Sequence, residues 1–311
     1  MSTDLTGTIE NRRSTLSVVI ATCNAAAVIG KCLDALLLQQ SASMEIVVAD
    51  ASTDDTAAIV AQDYPSVRLL RCPVENNVAQ LRGRGIAACT GAIVAVIDPY
   101  CIVAPDWVEA VTRRQLQGRG GIVGGYVEPW RGESMTLSQW AIYFNEYGHF
   151  MLPMVAGESS VIPGSNVSYP RDLLFDDDKP RFAIFWKTFV NWQAAAAGVT
   201  PQLDPEMGVS LNKPIALLDF LLSRFFHGRC FAGMRAREES LSLRTLRAIG
   251  APLVPLLLFW RLVSTVAPKR RHRWRFAFTC PLQLAFFTMW GIGEFVGYIS
   301  GSGKACQHVR F

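Results

Sequence analysis

Asp50-Ala-Ser-Thr-Asp-Asp-Thr56 directly follows the apolar run Ile46–Ala49. An earlier apolar run covers Leu16–Ala21, and a later one ends on Asp98. Such runs are typical of parallel strands, whose carboxyl ends meet at the ligand-binding edge of an open α/β sheet. Because two of the three runs end on a carboxylate, the sequence predicts site residues at this edge and favours a nucleotide-dependent enzyme.

Strand and helix patterns alternate along the first half of the chain. Val28–Gln40 carries apolar residues on one helical face. Asp54 and Thr56 stand at the capping positions of a helix over Ala57–Asp63. Further strands are predicted over Val67–Cys72, Ala92–Ile97 and Gly120–Val127, and further helices over Val78–Ala88 and Pro105–Leu116. This alternation implies parallel pairing with right-handed crossovers.

An aromatic segment, Ser138–Leu152, follows these elements. Its rings are Trp140, Tyr143, Phe144, Tyr147 and Phe150. Two interpretations stay open: a helix that faces a core, or a contact with an acceptor or with lipid.

The composition indicates membrane contact. Half of the 311 residues are hydrophobic and only 18% are charged, with a mean hydropathy of +0.22, which is too apolar for an ordinary soluble enzyme. The apolar excess is concentrated near the C-terminus. We therefore predict a disordered tail over 1–15, a catalytic α/β domain over 16–240, and a membrane-associated helical hairpin with its tail over 241–311.

Charge and cysteine usage exclude other classes of protein. A net charge of only +4 gives little support to nucleic-acid binding. The eight cysteines form no CxxC pair, so we expect reduced thiols and not a zinc or redox motif. The segment Met1–Thr15 is polar and lacks the apolar core of a secretory signal, so the body of the protein is expected in the cytoplasm.

Several blocks resemble the nucleotide-sugar half of family-two glycosyltransferases, which have a GT-A fold. Four blocks agree in order and spacing: Ser17–Asn24, Glu45–Thr56, Asn77–Ala88 and Ala92–Asp98. Pro163–Arg171 is similar to a "G-x-N-x-x-x-R-R" segment, and Trp192–Gly198 with Asp204-Pro-Glu206 is similar to a "W-R-x-x-x-x-G…D-P-E" block. Gly293–Gly301 looks like the tail of membrane-associated bacterial members. The resemblance covers about residues 16 to 235.

The resemblance implies a donor site at the edge of the sheet. The implied substrate-binding residues are Ala21, Thr22, Asn24, Asp50, Ser52, Arg82, Asp98 and Asn166. Asp50 would accept a hydrogen bond from a ribose hydroxyl or a uracil N–H, and Arg82 would lie near the donor phosphates. The implied reaction is transfer of a sugar, with inversion, from a nucleoside diphosphate sugar, with UDP as the expected nucleotide.

The metal and base positions depart from the family pattern. Where members carry Asp-x-Asp, this chain has Asp98-Pro-Tyr100, so Mg²⁺ or Mn²⁺ should bind weakly at Asp98 or not at all. Lys187 occupies the position of the general base. Gln193 replaces the arginine after the family tryptophan, and Leu211 replaces a histidine that often follows D-P-E.

Two hypotheses follow from these departures. In the first, the chain is a metal-weak or metal-independent transferase in which Lys187 supplies positive charge to the diphosphate. The base would then be one of Asp176, Asp177, Asp178 and Glu158, although the three aspartates also fit a solvated loop. In the second, the chain keeps the fold and the nucleotide pocket but serves as a binding or scaffold subunit beside a partner transferase.

The C-terminal region predicts attachment to a membrane. Ile249–Ala267 and Phe276–Ser300 each approach the roughly 20 residues that span a bilayer. An arginine such as Arg261 costs about 2.5–3.5 kcal/mol at mid-membrane, unless it pairs with Glu294 across a hairpin. We favour an interfacial hairpin with the basic segment Lys269–Arg275 at the inner-membrane surface and the catalytic domain in the cytoplasm. The expected acceptor is a membrane lipid or a lipid-linked glycan.

Overall fold

A computed structural model describes residues 15–39, 43–117, 121–130, 132, 134–211, 213 and 215–309. The chain divides into two compact units. The first contains residues 1–129 and 152–212, and the second contains 130–151 and 213–311. The tail predicted over 1–15 lies outside the described residues except for Thr15.

The first unit is an α/β layer structure. Its strands are β1 Leu16–Thr22, β2 Met44–Asp50, β3 Arg68–Arg71, β4 Ile93–Ile97, β5 Cys101–Val103, β6 Val123–Pro129, β7 Gly157–Glu158, β8 Asn166–Pro170, β9 Phe175–Asp176, β10 Lys179–Pro180 and β11 Gln202–Leu211. Its helices are α1 Ile29–Leu37, α2 Thr56–Asp63, α3 Val78–Ala87, α4 Trp107–Gln117, α6 Arg171–Leu174 and α7 Lys187–Ala196.

A central open sheet has the strand order β3-β2-β1-β4-β8-β6-β11-β5, with β7 also paired to β11. The four strands β3, β2, β1 and β4 run parallel to one another. All residues of β1 are buried, and so are all of β4. Strands covered on both faces read as continuous apolar runs, which is why the sequence located these elements to within one or two residues.

Strand β8 was not predicted. Asn166–Pro170 runs antiparallel between β4 and β6, whereas the sequence patterns assigned no strand to the segment Pro163–Arg171. Val167 and Tyr169 are fully buried in the core of the first unit, beside Val94 and Val96. Because the run Asn166–Pro170 mixes polar and apolar residues, its sequence pattern alone did not distinguish a strand from a loop.

The aromatic segment forms the helix α5, Leu137–Tyr147. Tyr143 and Phe144 are fully buried, and Trp140 is 8% exposed. The core-facing interpretation is therefore the correct one for these three rings. A capping box between Thr136 and Gln139 starts the helix.

The second unit packs α5 against the C-terminal helices. These are α8 Leu217–Arg235, α9 Leu241–Gly250, α10 Val254–Val266 and α11 Arg273–Ser300. Ile142 of α5 shares a buried cluster with Phe220 and Phe286, and Gln283 donates a hydrogen bond of 2.7 Å to the carbonyl of Ala141. The predicted boundary near residue 240 therefore differs from the observed division, because α5 and α8 share a core with α11.

Helices α8 and α11 approach closely at glycines. A Cβ added at Gly228 would lie 2.3 Å from the carbonyl oxygen of Trp290, and one added at Gly293 would lie 2.2 Å from the carbonyl oxygen of Phe225. Both distances fall on backbone atoms, which cannot move aside without separating the helices.

The expectation of reduced thiols is wrong for one pair of cysteines. Cys230 of α8 and Cys306 form a disulfide within the second unit. The other six cysteines form no disulfide bond. The two partners are 76 residues apart in sequence, and spacing of that kind does not reveal connectivity.

The ion pair considered between Arg261 and Glu294 does not form. Arg261 is exposed on α10. Glu294 instead accepts a hydrogen bond of 2.9 Å from the indole of Trp290, and Arg235 lies 3.8 Å from the same oxygen. An ion pair with Glu294 therefore does not lower the free-energy cost of placing Arg261 within a membrane span.

We predict that Gly228→Ala destabilises the second unit. The new methyl group would force α8 away from α11, and we expect a loss of about 2 kcal/mol or more. Thermal unfolding in detergent, followed by circular dichroism, measures the change. Gly250→Ala is the control, since an added Cβ there meets nothing within 4 Å. Equal melting temperatures for the two variants would contradict the close approach.

Candidate active site

The carboxyl ends of β1, β2 and β4 gather polar side chains at one edge of the sheet. Thr22 is the register partner of Asp50 across β1 and β2, and Ile20 is the partner of Ile97, the residue before Asp98. Parallel pairing therefore brings the two predicted carboxylates to the same edge, where open α/β sheets bind ligands.

Asp50 is fully buried and held by three side chains. Its Oδ1 accepts hydrogen bonds from the hydroxyls of Thr22 (2.7 Å) and Ser52 (2.5 Å). Its Oδ2 forms an ion pair with Arg71, the last residue of β3. The Arg71 side chain is 54% exposed, so its guanidinium connects the buried carboxylate to the protein surface.

Sequence reasoning missed Arg71. It is the register partner of Asp50 across β2 and β3. The available signal was a basic residue near the end of the predicted strand Val67–Cys72. Its pairing with Asp50 could be predicted only if the order of the strands in the sheet was known.

The loops after β1 and β2 lock together. The backbone N–H of Asn24 donates to the hydroxyl of Ser52 (2.7 Å), and the side-chain oxygen of Asn24 accepts from the N–H of Thr53 (2.9 Å). Asn24 has a φ of 55°, a left-handed conformation that asparagine tolerates better than most residues. Ala21 is buried in β1, so its position is set by sheet packing.

Although Asp55 is the N-cap residue of α2, the carboxylate predicted to cap the helix, Asp54, also stabilises its start. Its carboxylate accepts from the N–H of Thr56 at 3.0 Å and from the N–H of Ala26 at 3.2 Å. The second bond also ties this turn to the loop after β1.

A second cluster surrounds Asp98 and draws on three separate parts of the chain. Arg82 of α3 donates to Oδ1 of Asp98 at 2.8 Å, and the hydroxyl of Tyr100 donates to Oδ2 at 3.0 Å. The Nζ of Lys187, the first residue of α7, lies 3.8 Å from Oδ1. The side chains of Arg82, Asp98 and Lys187 are each no more than 9% exposed.

Two nitrogen atoms of this cluster have no hydrogen-bond partner within the part of the chain that the structure describes. They are Nζ of Lys187 and Nε of Arg82. Burial, followed by the charge of Arg82, lowers the pKa of Lys187 to about 7, against the opposing effect of Asp98. A buried amine without a hydrogen bond is energetically unfavourable.

The side chains around Asp98 do not fit a divalent cation. Both carboxylate oxygens already accept hydrogen bonds from Arg82 and Tyr100, and the two nearby cationic groups oppose a third positive charge. Over the described ranges, no group of three or more His, Cys, Asp or Glu side chains could hold a metal ion. Tyr100, which replaces a carboxylate of the family pattern, binds Asp98 instead.

Asn166 has a packing role that differs from the predicted substrate contact. Its side-chain oxygen accepts from the indole of Trp107 (2.9 Å), and its amide donates to the carbonyls of Tyr126 (3.1 Å) and Met207 (2.8 Å). The residue is fully buried. Its amide therefore joins α4, β6 and β11.

The acidic residues considered as bases lie at the surface. Asp176 pairs with Arg181 at 2.8 Å, and Asp178 pairs with Arg171 at 3.2 Å, in the turn between β9 and β10. Asp177 and Glu158 are exposed. These contacts agree with the interpretation of the three aspartates as a solvated loop.

The family D-P-E block and its flanks carry surface ion pairs and core packing. Arg114 lies 3.7 Å from Asp204, and Arg113 pairs with Glu206. Leu211 is buried, and Gln193 is exposed on α7.

Comparison with known proteins assigns the family. Residues 17–174, about half of the chain, match the model described as Glycosyl transferase family 2.

The chain belongs to glycosyltransferase family 2.

One related protein is the succinoglycan biosynthesis protein ExoO of Rhizobium meliloti (strain 1021), which is 33% identical over 101 residues. That match covers 32% of this chain and 29% of ExoO, so the chain covers less than a third of the length of this relative.

A solved mannosyltransferase structure shares the fold. The mannosyltransferase PcManGT from Pyrobaculum calidifontis, in complex with GDP-Man and Mn²⁺, superposes with a TM-score of 0.56 at 15% identity and covers 93% of this chain and 88% of its own. The S. aureus TarS 1–349 structure gives a TM-score of 0.48 at 16% identity and covers 70% and 64%. The predicted GT-A-like fold and family resemblance are confirmed.

We predict that Lys187→Met stabilises this glycosyltransferase near neutral pH. Below pH 7 the lysine is protonated in both the folded and unfolded chain, and its full burial penalty applies. Between pH 7 and about 10.4 only the unfolded chain keeps the proton, so the penalty shrinks as pH rises. We expect a gain of about 1–3 kcal/mol at pH 6 that declines towards pH 10.

Thermal unfolding across this pH range measures the effect. Lys179→Met, at an exposed position of β10, is the matched control and should change little. If the Lys187→Met variant is less stable than the parent chain at pH 6, the lysine makes a net stabilising contribution and the prediction is wrong.

Proposed function

We propose that the protein transfers a sugar from a nucleoside diphosphate sugar to an acceptor in a membrane. The observation that carries this proposal is the pairing register that places Asp50 and Asp98 at one edge of a family-two glycosyltransferase sheet. The printed names of its relatives support the donor class and the process, since PcManGT was solved with GDP-Man and ExoO is a succinoglycan biosynthesis protein.

Uridine is the nucleoside that we favour. Asp50 is a fully buried carboxylate whose ion pair holds the Arg71 guanidinium at the ligand edge. The half-exposed Arg71 guanidinium beside it can stack on a base or donate to its carbonyl oxygens. Thr22, Asn24 and Ser52 hold this platform in place through the hydrogen bonds described above.

The proposed reaction is a single displacement with inversion. The acceptor hydroxyl oxygen forms a bond to the anomeric carbon while the bond from that carbon to the diphosphate oxygen breaks. The bonding electron pair leaves with the nucleoside diphosphate, and the hydroxyl proton passes to a base on the acceptor side. Positive side chains around Asp98 would stabilise the charge of the leaving group.

A second candidate function is supported by the altered base position. Lys187 stands where the family pattern has a carboxylate, and the acidic alternatives are exposed side chains of a surface turn or edge strand. A chain that binds a nucleotide sugar without turnover could serve as a scaffold beside a partner transferase. Binding in the absence of transfer or hydrolysis would favour this function.

The second unit is proposed to attach the enzyme to the inner membrane from the cytoplasmic side. Its segments Leu241–Lys269 and Arg273–Ser300 are long and apolar enough to cross a membrane. Exposed apolar side chains lie along the first segment and at the start of the second: Leu246, Ile249, Leu253, Leu256, Trp260, Trp274 and Phe278. Because Arg261 lacks Glu294 as an ion partner, we favour a hairpin that lies in the interface without crossing it.

The turn between α10 and α11 supports this attachment. A cavity of about 360 Å³ has a lining that includes Arg271, Arg273, Trp274 and Phe276. Arginine and tryptophan side chains beside an apolar wall suit the headgroup region of an anionic bilayer. The basic segment Lys269–Arg275 would therefore face lipid phosphates, close to a lipid or lipid-linked glycan acceptor.

Nucleotide-sugar binding tests the donor site. Calorimetry with UDP-glucose, GDP-mannose and ADP-glucose should give the tightest binding for the uridine compound. Arg71→Gln should weaken that binding about tenfold, as expected for loss of one charged hydrogen-bonding group, while Arg68→Gln, on the same strand and also exposed, should not. No binding of any donor would exclude the proposed function.

Cysteine labelling tests the membrane arrangement. A cysteine introduced at Arg270 should react with an impermeant maleimide in inside-out vesicles but not in intact cells, because the proposed hairpin keeps this turn on the cytoplasmic side. The parent chain, with its own free cysteines, controls for background. Labelling from outside intact cells would show that the hairpin spans.

A further inference from the structure

The cluster around Asp98 contains more positive than negative charge. Arg82 and Lys187 face a single carboxylate, and all three side chains are at least nine-tenths buried. No other ion pair with either cation forms among the side chains that the structure describes. When Lys187 is protonated, a buried group of this composition carries a net charge of +1, which no other side chain that the structure describes compensates.

A buried cation without a counter-ion is unfavourable because its charge is desolvated, and an anion that binds beside it offsets this cost. The Nζ of Lys187 makes no hydrogen bond to any described residue. It is adjacent to Gly164, where an added Cβ would lie 3.6 Å from Nζ, so a glycine forms the wall beside the amine. Burial and, after it, the charge of Arg82 lower the pKa of Lys187 to about 7, so an anion bound beside the amine would favour its protonated form.

Tyr100 completes the arrangement. Its hydroxyl binds Oδ2 of Asp98, and Arg82 binds Oδ1. Asp98 is thereby converted from a possible metal ligand into an anchor that orients a guanidinium. Arginine pairs with phosphate through planar, directed N–H groups, and lysine adds a point charge.

We propose that Arg82 and Lys187 form a metal-independent binding site for the diphosphate of the donor, with Asp98 and Tyr100 as positioning residues. The proposal rests on the proposed function, because it assigns the charge compensation of that same site. The two cations replace the divalent ion that a second carboxylate at position 100 would have helped to hold. The proposed site therefore binds the diphosphate through these two cations and does not require magnesium or manganese.

Calorimetry of the full chain with UDP tests this inference, first with EDTA and then with excess Mn²⁺. We expect the same affinity in both conditions. Lys187→Met should weaken UDP binding at least tenfold. The Lys187→Arg variant keeps a cation at this position and should retain most of the parent affinity, and Lys179→Met should leave the affinity unchanged. Circular dichroism of each variant checks that the fold is kept.

A gain of metal dependence gives the sharper test. The double variant Tyr100→Asp with Lys187→Met restores two carboxylates and removes one cation, so its UDP affinity should rise at least tenfold on addition of Mn²⁺. Two results separate the hypotheses. UDP binding by the parent chain that needs Mn²⁺ would overturn this inference and leave the proposed function standing, whereas no binding in either condition would remove the proposed function.

Discussion

The parallel register of β1 with β2 and β4 is the constraint on which the site depends. It sets Thr22 opposite Asp50 and places Asp98 one residue beyond the paired end of β4. A one-residue slip would turn the side chains of a strand to its other face. The fully buried apolar residues of β1 and β4 prevent such a slip, since both faces of these strands are covered. Core packing thereby fixes the positions of the polar groups.

The two carboxylates at this edge have different surroundings. Asp50 is matched by one cation and two hydroxyls, which leaves its local charge near neutral. Asp98 is matched by two buried cations and a phenol, which leaves an excess of positive charge. Sites that violate the ordinary rules of burial are often functional, because the protein gives up stability to hold a group ready for a ligand. In the function proposed above, the first carboxylate serves nucleoside recognition and the second serves phosphate recognition.

The second unit shows how distant segments can share one core. Helix α5 is contributed from the middle of the chain, and its Ile142 packs with Phe220 and Phe286 of helices much later in sequence. Gly228 and Gly293 permit the close approach of α8 and α11, and the disulfide between Cys230 and Cys306 joins the end region to α8. The helices of the second unit pack on one another through their buried side chains. Their exposed apolar side chains, such as Trp260 and Trp274, remain available for the membrane contact proposed above.

The sequence by itself determined the strands β1, β2 and β4, the helices between them and the polar edge at Asp50 and Asp98. These features depend on local patterns: continuous apolar runs, capping residues and carboxylates at the ends of strands. Only the tertiary structure decided that Arg71 pairs with Asp50, that Asn166 packs inside the sheet, and that Lys187 approaches Asp98 from a helix almost ninety residues later. The reason is physical: such contacts depend on strand order and on helix placement in space, and no local spacing in the chain encodes either of them.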